Sequence, residues 1–135
     1  MTLSHARPER ADLLELYDSV GWSAYIEHPE ALERAVANST HVVCGLEDGR
    51  LVALARCVSD DVSICYIQDI LVRPSEHRKG WGRRLVQDCL TRFEHVRQKI
   101  LITDDRPEQL AFYKSLGFTD TSGTPLHAFV QMPGL

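Results

Sequence analysis

The chain lacks any uninterrupted apolar run near the roughly 20 residues that span a bilayer. Its start, Met1-Thr2-Leu3-Ser4-His5-Ala6-Arg7, has no secretory hydrophobic segment. A cytoplasmic location without a membrane partner is therefore expected. No Cys-x-x-Cys arrangement occurs: Cys44, Cys57, Cys65 and Cys89 stand apart, and three of them sit in apolar runs. That pattern favours buried reduced thiols over a disulfide or metal framework. The six histidines are scattered, with no His-x-x-x-His pair, so no metal is expected. Excess positive charge is also missing. The formal net charge of −4 argues against a nucleic-acid partner. Internal repeats, low-complexity stretches and linkers are absent, and 135 residues suit a single domain, 1–135.

What is present is an alternation of helix and strand patterns. Glu9 to Val20 carries an apolar stripe of Leu13, Leu14, Leu16, Tyr17 and Val20, and Gly21 stops it. A second helix is predicted from His28-Pro29 to Asn38. His41 to Leu46 and Leu51 to Val58 read as strands joined by Glu47-Asp48-Gly49-Arg50, a hairpin signal. A long strand follows from Val62 to Val72, completing an antiparallel meander. Gly80 to Glu94 reads as a helix. Ile100 to Thr103 reads as a short strand buried on both faces. A helix capped by Asp104 or Asp105, with Glu108 completing a capping box, runs to Leu116 and ends at Gly117. Phe118 onward and His127 to Met132 are expected as the last strands. A strand, crossover helix and strand imply a parallel pair, hence a layered α/β domain.

Five basic residues, Arg73, Arg78, Lys79, Arg83 and Arg84, cluster where a strand passes into a helix. The turn between them is His77-Arg78-Lys79-Gly80-Trp81-Gly82. A helix N-terminus offers unpaired N–H groups and partial positive charge. Gly80 and Gly82 remove Cβ atoms that would hold a ligand off the backbone. This suits a phosphate or pyrophosphate. It is neither a P-loop, since Gly-Lys-Ser/Thr is absent, nor a dinucleotide fingerprint, since Leu85 stands at the third glycine position. Spacing alone leaves an anion cradle and a plain loop both open.

The stretch Asp69 to Leu85 resembles the acetyl-CoA signature of the GNAT superfamily of N-acetyltransferases: a strand with V-x-P, then Q/R-x-x-G-x-G/A opening a helix. Ala111-Phe112-Tyr113-Lys114-Ser115-Leu116-Gly117-Phe118 is similar to the family's second hallmark, a helix ending in Y-x-x-x-G-F. The likeness extends to small bacterial members, including those similar to plant-type arylalkylamine acetyltransferases. His77 departs from the usual Gln/Arg, and Arg106 stands where many members have Asn. The resemblance implies a mixed central sheet, an antiparallel meander plus a parallel pair, with helices on both faces. It implies acetyl-CoA as cosubstrate and a primary amine as acceptor. It assigns the pantetheine arm to the backbone of Ile70, Leu71 and Val72. It assigns the pyrophosphate to the turn of His77, Arg78, Lys79, Gly80, Trp81, Gly82 and Arg83. Tyr113 becomes the candidate general acid for the leaving thiolate.

Asp69, inside an apolar strand, is a candidate base or amine ligand; an ion pair with a nearby arginine such as Arg56 is the other reading. Strand alternation sends Gln68 and Asp69 to opposite faces, so only one is expected at the site unless a bulge intervenes. Trp22 and Tyr25 are candidates to contact the acceptor, or to pack between helices. A small cationic amine is the expected substrate. A protein or peptide acceptor, or a non-catalytic coenzyme-A-binding regulatory domain, are the rival readings. Oligomeric state stays open, with a homodimer allowed.

Overall fold

The computed structural model describes residues 1–135. The chain divides into two compact units, Met1–Ile102 and Thr103–Leu135.

The first unit is a five-stranded sheet: β1 (Thr2–Ser4), β2 (His41–Glu47), β3 (Arg50–Ser59), β4 (Ile64–Val72) and β5 (Gln98–Leu101), side by side in chain order. Strands β1 to β4 pair antiparallel, and β4 pairs with β5 in parallel. The mixed sheet inferred from the strand–helix–strand order is therefore present. Helices α1 (Arg10–Ser19), α2 (Ser23–Ile26) and α3 (Pro29–Ala37) precede β2, and α4 (Trp81–Arg92) connects β4 to β5. The four-residue α2 has no periodic apolar signal, and it falls between the two expected helices. No helix is long and apolar enough to cross a membrane.

Helices cover both faces of this sheet. Leu13, Leu16 and Tyr17 of α1 and Leu32 and Val36 of α3 pack with Val42, Cys44, Leu54 and Leu71. On the other face, Trp81 at the first turn of α4 lies over Gly45. A Cβ on Gly45 would sit 2.6 Å from the Trp81 ring. A glycine inside a strand often marks such an approach, and here it lets α4 dock on the sheet. All four cysteines are buried, unpaired thiols, as their apolar contexts predict.

Pairing between β3 and β4 slips by one residue. Arg56 faces Asp69 and Cys57 faces Ile67, so Gln68 is extra. The bulge reverses which face the following residues occupy: Asp69 and Leu71 turn toward α1. Strand β5 differs from its expected double burial. It is an edge strand on which Gln98 and Ile100 are exposed and Lys99 and Leu101 half-buried, so only one of its faces is covered.

The second unit contains α5 (Pro107–Ser115). Its N-cap is Arg106, and no side chain caps it, contrary to the capping box expected from Asp104 or Asp105. Pro107 sets the first helical φ. The Asp104 carboxylate instead accepts from the Arg106 Nε at 3.0 and 3.1 Å. The strands expected from Phe118 onward and at His127 to Met132 are absent; turns and irregular backbone occupy 117–135. Neither segment finds a ladder partner, and Phe129 is 93% exposed.

Candidate active site

The backbone of β4 supplies the first feature. Its pairing with β5 covers Ile64 to Ile67 and stops, while β4 continues to Val72 on β3 alone. From Gln68 to Val72 the edge facing β5 is without a ladder partner, so the N–H and C=O groups that alternate residues turn to it are open to an extended ligand, except the Val72 carbonyl, which His77 holds. Ile70 and Val72 are half-buried on this edge, and Leu71 points into the core.

At the end of β4 the chain turns through Arg73 and a 3-10 segment, Pro74–Glu76. Arg78 and Gly80 both adopt left-handed backbone, at φ 66° and 87°. The first backbone N–H of α4 to close on a carbonyl is that of Arg84, on Gly80 O at 3.1 Å. The N–H groups of Trp81 and Gly82 thus face outward from the helix start, with the positive end of its dipole behind them. Arg78, Lys79 and Gly80 are exposed, and Gly82 is half-buried. A phosphate group fits these donors.

Side chains in the turn divide differently from the expected basic cluster. Arg73 turns inward, donates to Leu51 O at 2.9 and 3.3 Å and pairs with Glu15 at 3.2 Å. Lys79 pairs with Glu76 at 2.8 Å. Arg84 lies against the Trp81 ring, 5.9 Å from its centroid. The Trp81 side chain is core, so only its backbone can serve a ligand. The His77 Nε2 is bonded to Val72 O at 2.9 Å. That ring fastens the turn to the strand end, which leaves the backbone, more than the imidazole, to face an anion.

The second feature is a buried polar network on the α1 face. Asp69 is 2% exposed. Its Oδ2 accepts from Tyr17 Oη at 2.8 Å and Arg56 Nε at 2.7 Å, and its Oδ1 accepts from Tyr25 Oη at 3.1 Å. Arg56 also donates to Ser39 Oγ at 3.3 Å. Of the two readings for Asp69, the ion pair with Arg56 is the arrangement present. A carboxylate with three donors and no solvent access positions its partners; it is not placed to take a proton from an incoming amine, as its candidacy as catalytic base requires. Burial, then the charge of Asp69, pushes the Tyr17 hydroxyl far above its ordinary pKa. The same causes raise Tyr25, which is half-buried.

Trp22, Tyr25 and Tyr17 form one aromatic group, with ring centroids 5.1 to 5.9 Å apart. The Gln68 side chain lies near the Tyr25 hydroxyl and opposes the rise in its pKa. Gln68 and Asp69 therefore meet the same phenol, although alternation would part them. The bulge is the reason. The sequence reading missed Tyr17 as a polar participant, because its position in an apolar stripe masks its hydroxyl. It also missed Gly45, whose mid-strand position is the available signal.

Tyr113 belongs to the second unit. It is half-buried in α5, with Phe112 and Phe118 rings 5.0 and 6.0 Å away. Burial, followed by the negative charge of Asp104, pushes its hydroxyl up to about 12. It stays protonated, and so remains a donor, throughout the neutral range.

An open strand edge running into a left-handed turn and a helix start without a side-chain cap gives this α/β domain a shape that suits an extended, phosphorylated ligand. Known proteins share this architecture. A GNAT-family acetyltransferase from Streptococcus pneumoniae TIGR4 superposes with a TM-score of 0.87 over 99% of this chain and 98% of its own, at 30% identity. An aminoglycoside 6'-N-acetyltransferase complexed with coenzyme A shares the fold, with a TM-score of 0.62 over 70% of this chain and 56% of its own, at 15% identity. An uncharacterized N-acetyltransferase, ycf52, of Pyropia yezoensis is 26% identical over 79% of this chain. The chain spans 63% of the length of that relative. The model of the acetyltransferase (GNAT) family matches residues 9–118, and the chain belongs to that family.

Proposed function

We propose that this protein transfers the acetyl group of acetyl-CoA to a primary amine, in a ternary complex. The observation that carries the reading is the unpaired edge of β4 from Gln68 to Val72, continuing into the left-handed turn at Arg78 and Gly80. An extended pantetheine arm suits the first part and a pyrophosphate the second. Family membership supports the same ligand.

In this mechanism the neutral amine attacks the thioester carbonyl carbon. A backbone N–H on the open edge, that of Ile70, stabilises the developing oxyanion. The C–S bond then breaks, and the departing thiolate takes the proton of the Tyr113 hydroxyl. The proton lost by the amine returns to Tyr113 through solvent. Support for Tyr113 comes from the family's helix ending, Tyr113 to Phe118, and from its retained proton.

The acceptor is a small cationic amine. Trp22 and Tyr25 offer aromatic faces to an ammonium, and Gln68 offers a carbonyl oxygen. Asp69 acts as a positioning residue, through Tyr25.

The test is equilibrium binding of acetyl-CoA and ATP, followed by thiol release across a panel of diamines, arylalkylamines and peptides. Acetyl-CoA is expected to bind and ATP to bind far more weakly, with turnover on small amines. Tyr25→Phe is expected to raise the amine KM severalfold while leaving the acetyl-CoA Kd unchanged. Comparable affinity for ATP, or binding without turnover on any acceptor, would overturn the proposal.

A further inference from the structure

Spacing in the sequence excludes a metal site, but the fold joins residues that spacing keeps apart. His5 follows β1, His41 opens β2 and Asp88 lies midway along α4. The His5 Nε2 is 3.0 Å from Asp88 Oδ1 and 3.1 Å from Oδ2. The His41 Nε2 is 2.8 Å from the same Oδ2. One ligand atom from each of the three lies within 4.8 Å of the others.

We propose that His5, His41 and Asp88 bind a Zn2+ ion that ties the N-terminal strand to α4. The donor set decides the class. Two imidazole nitrogens and one carboxylate oxygen suit Zn2+, whereas Ca2+ and Mg2+ call for oxygen ligands alone. The spacing also fits. Zinc–ligand bonds of roughly 2.0–2.1 Å place tetrahedral ligand atoms about 3.3 Å apart. The two nitrogen–carboxylate separations are already 2.8 and 3.1 Å. A small outward shift and closure of the two imidazoles admits the ion, and water completes the fourth position. Each imidazole then carries its remaining proton on Nδ1.

Charge points the same way. Asp88 is only 19% exposed, and its two ion-pair partners are both imidazoles, with no arginine or lysine among them. A carboxylate withdrawn this far from water and faced by groups without a fixed charge suits a cation. The His41 ring is held edge-on to Phe93, at 5.8 Å and 89°, which fixes its direction before any ion arrives. His5, 55% exposed, leaves the ion a route in.

This cluster is separate from the candidate active site. Strands β2 and β4 run in the same direction, and His41 is level, through Cys57, with Ile67. Strand β3 lies between β2 and β4, about 10 Å of sheet, and His41 faces Phe93 on the α4 side, whereas Asp69 faces Tyr17 on the α1 side. The ion would therefore serve as a structural tie, remote from acyl transfer.

The test uses the full chain, freed of any affinity tag and stripped with chelator, titrated calorimetrically with Zn2+ alone. Co2+ then reports geometry through its visible absorption. One ion per chain is expected, with a rise in Tm on binding. His5→Gln and Asp88→Asn should each weaken binding about tenfold or more, and His28→Gln should leave it unchanged. His41→Gln risks misfolding because its ring is packed, so His5→Gln, at an exposed position, carries the decision. No binding by the parent protein, or undiminished binding by His5→Gln, would reduce the cluster to two imidazoles hydrogen-bonded to one carboxylate and overturn the proposal. Neither result depends on whether the protein transfers acetyl groups.

Discussion

Two helices of this protein stop in the same way, and their tyrosines meet different surroundings. Helix α1 ends in Tyr17-Asp18-Ser19-Val20-Gly21-Trp22, and α5 in Tyr113-Lys114-Ser115-Leu116-Gly117-Phe118. In each, a left-handed glycine lets the next aromatic N–H reach back to the tyrosine carbonyl: Trp22 to Tyr17 at 3.2 Å and Phe118 to Tyr113 at 3.1 Å. The glycine N–H closes on the following carbonyl, Asp18 at 2.9 Å and Lys114 at 3.0 Å. This is a Schellman ending with its apolar contact, since the tyrosine and the last aromatic meet edge-on in both. The motif therefore has a structural purpose that requires no chemistry. What separates the two is the hydroxyl. Tyr17 donates to a buried carboxylate, whereas Tyr113 is shifted by burial and the distant charge of Asp104 without a side-chain hydrogen bond. Only the second phenol has its proton free to give.

The largest break in this comparison comes from the partner of Tyr17. Asp69→Asn removes the charge facing Arg56, which is itself only 7% exposed. Losing one member of a buried ion pair costs about 3–5 kcal/mol. A urea midpoint shifted by that amount is expected. A change below about 1 kcal/mol, typical of exposed ion pairs, would mean water reaches the network.

Tyr113→Phe follows. Loss of a positioned general acid is expected to lower kcat about 100-fold, with the acetyl-CoA Kd and the urea midpoint unchanged. The raised phenol adds a pH signature. An acid loses its function as pH climbs through its pKa, and this one is pushed up to about 12. The parent enzyme's kcat should therefore show no fall owed to Tyr113 from about pH 7 to about pH 10, the ordinary tyrosine value. A fall near that value that disappears in Tyr113→Phe would contradict the shift; unchanged kcat in the variant would remove Tyr113 from the mechanism.

Tyr17→Phe is the mirror experiment. Asp69 Oδ2 keeps Arg56 but loses a donor, at a cost of about 1–3 kcal/mol. Equal stability losses in Tyr17→Phe and Tyr113→Phe would erase the distinction between the two phenols.

Much of this was legible in the chain, and the gaps have physical causes. Apolar periodicity located α1, α3 and α4, the Asp-Gly hairpin located β2 and β3, and the end signals, Gly117 among them, located α5. The glycine turn and the Tyr113 helix ending were legible as family motifs. The burial of β5 was misread, since an apolar run does not say whether a neighbour covers it. The Gln68 bulge was invisible for a related reason: it depends on the register with β3, which no local pattern encodes. With the register hidden, the choice between the two readings of Asp69, base or ion pair with Arg56, could not be made from the chain. His5, His41 and Asp88 were hidden by distance, being 83 and 47 residues apart along the chain. The six-residue echo between the two helix endings is too short to register as a repeat.

The smallest expected effects test the shared cap itself. Gly21 and Gly117 sit at φ 78° and 94°, and a Cβ at either would touch nothing within 4 Å. The cost of alanine is then conformational alone, roughly 1–2 kcal/mol for a left-handed residue with a Cβ. Restriction of the unfolded chain returns about 0.4–1 kcal/mol of it. A net loss near 1 kcal/mol is expected at each position. It should be somewhat greater at Gly117, because 94° lies further from the left-handed well near about 57°. The functional consequences should differ more than the stabilities. Gly21→Ala disturbs Trp22, which packs on Tyr25, so it should raise the amine KM; Gly117→Ala disturbs Phe118 against Tyr113, so it should lower kcat. If both variants altered KM alone, the two helix endings would share one role, and the assignment of Tyr113 as acid would lose its structural counterpart.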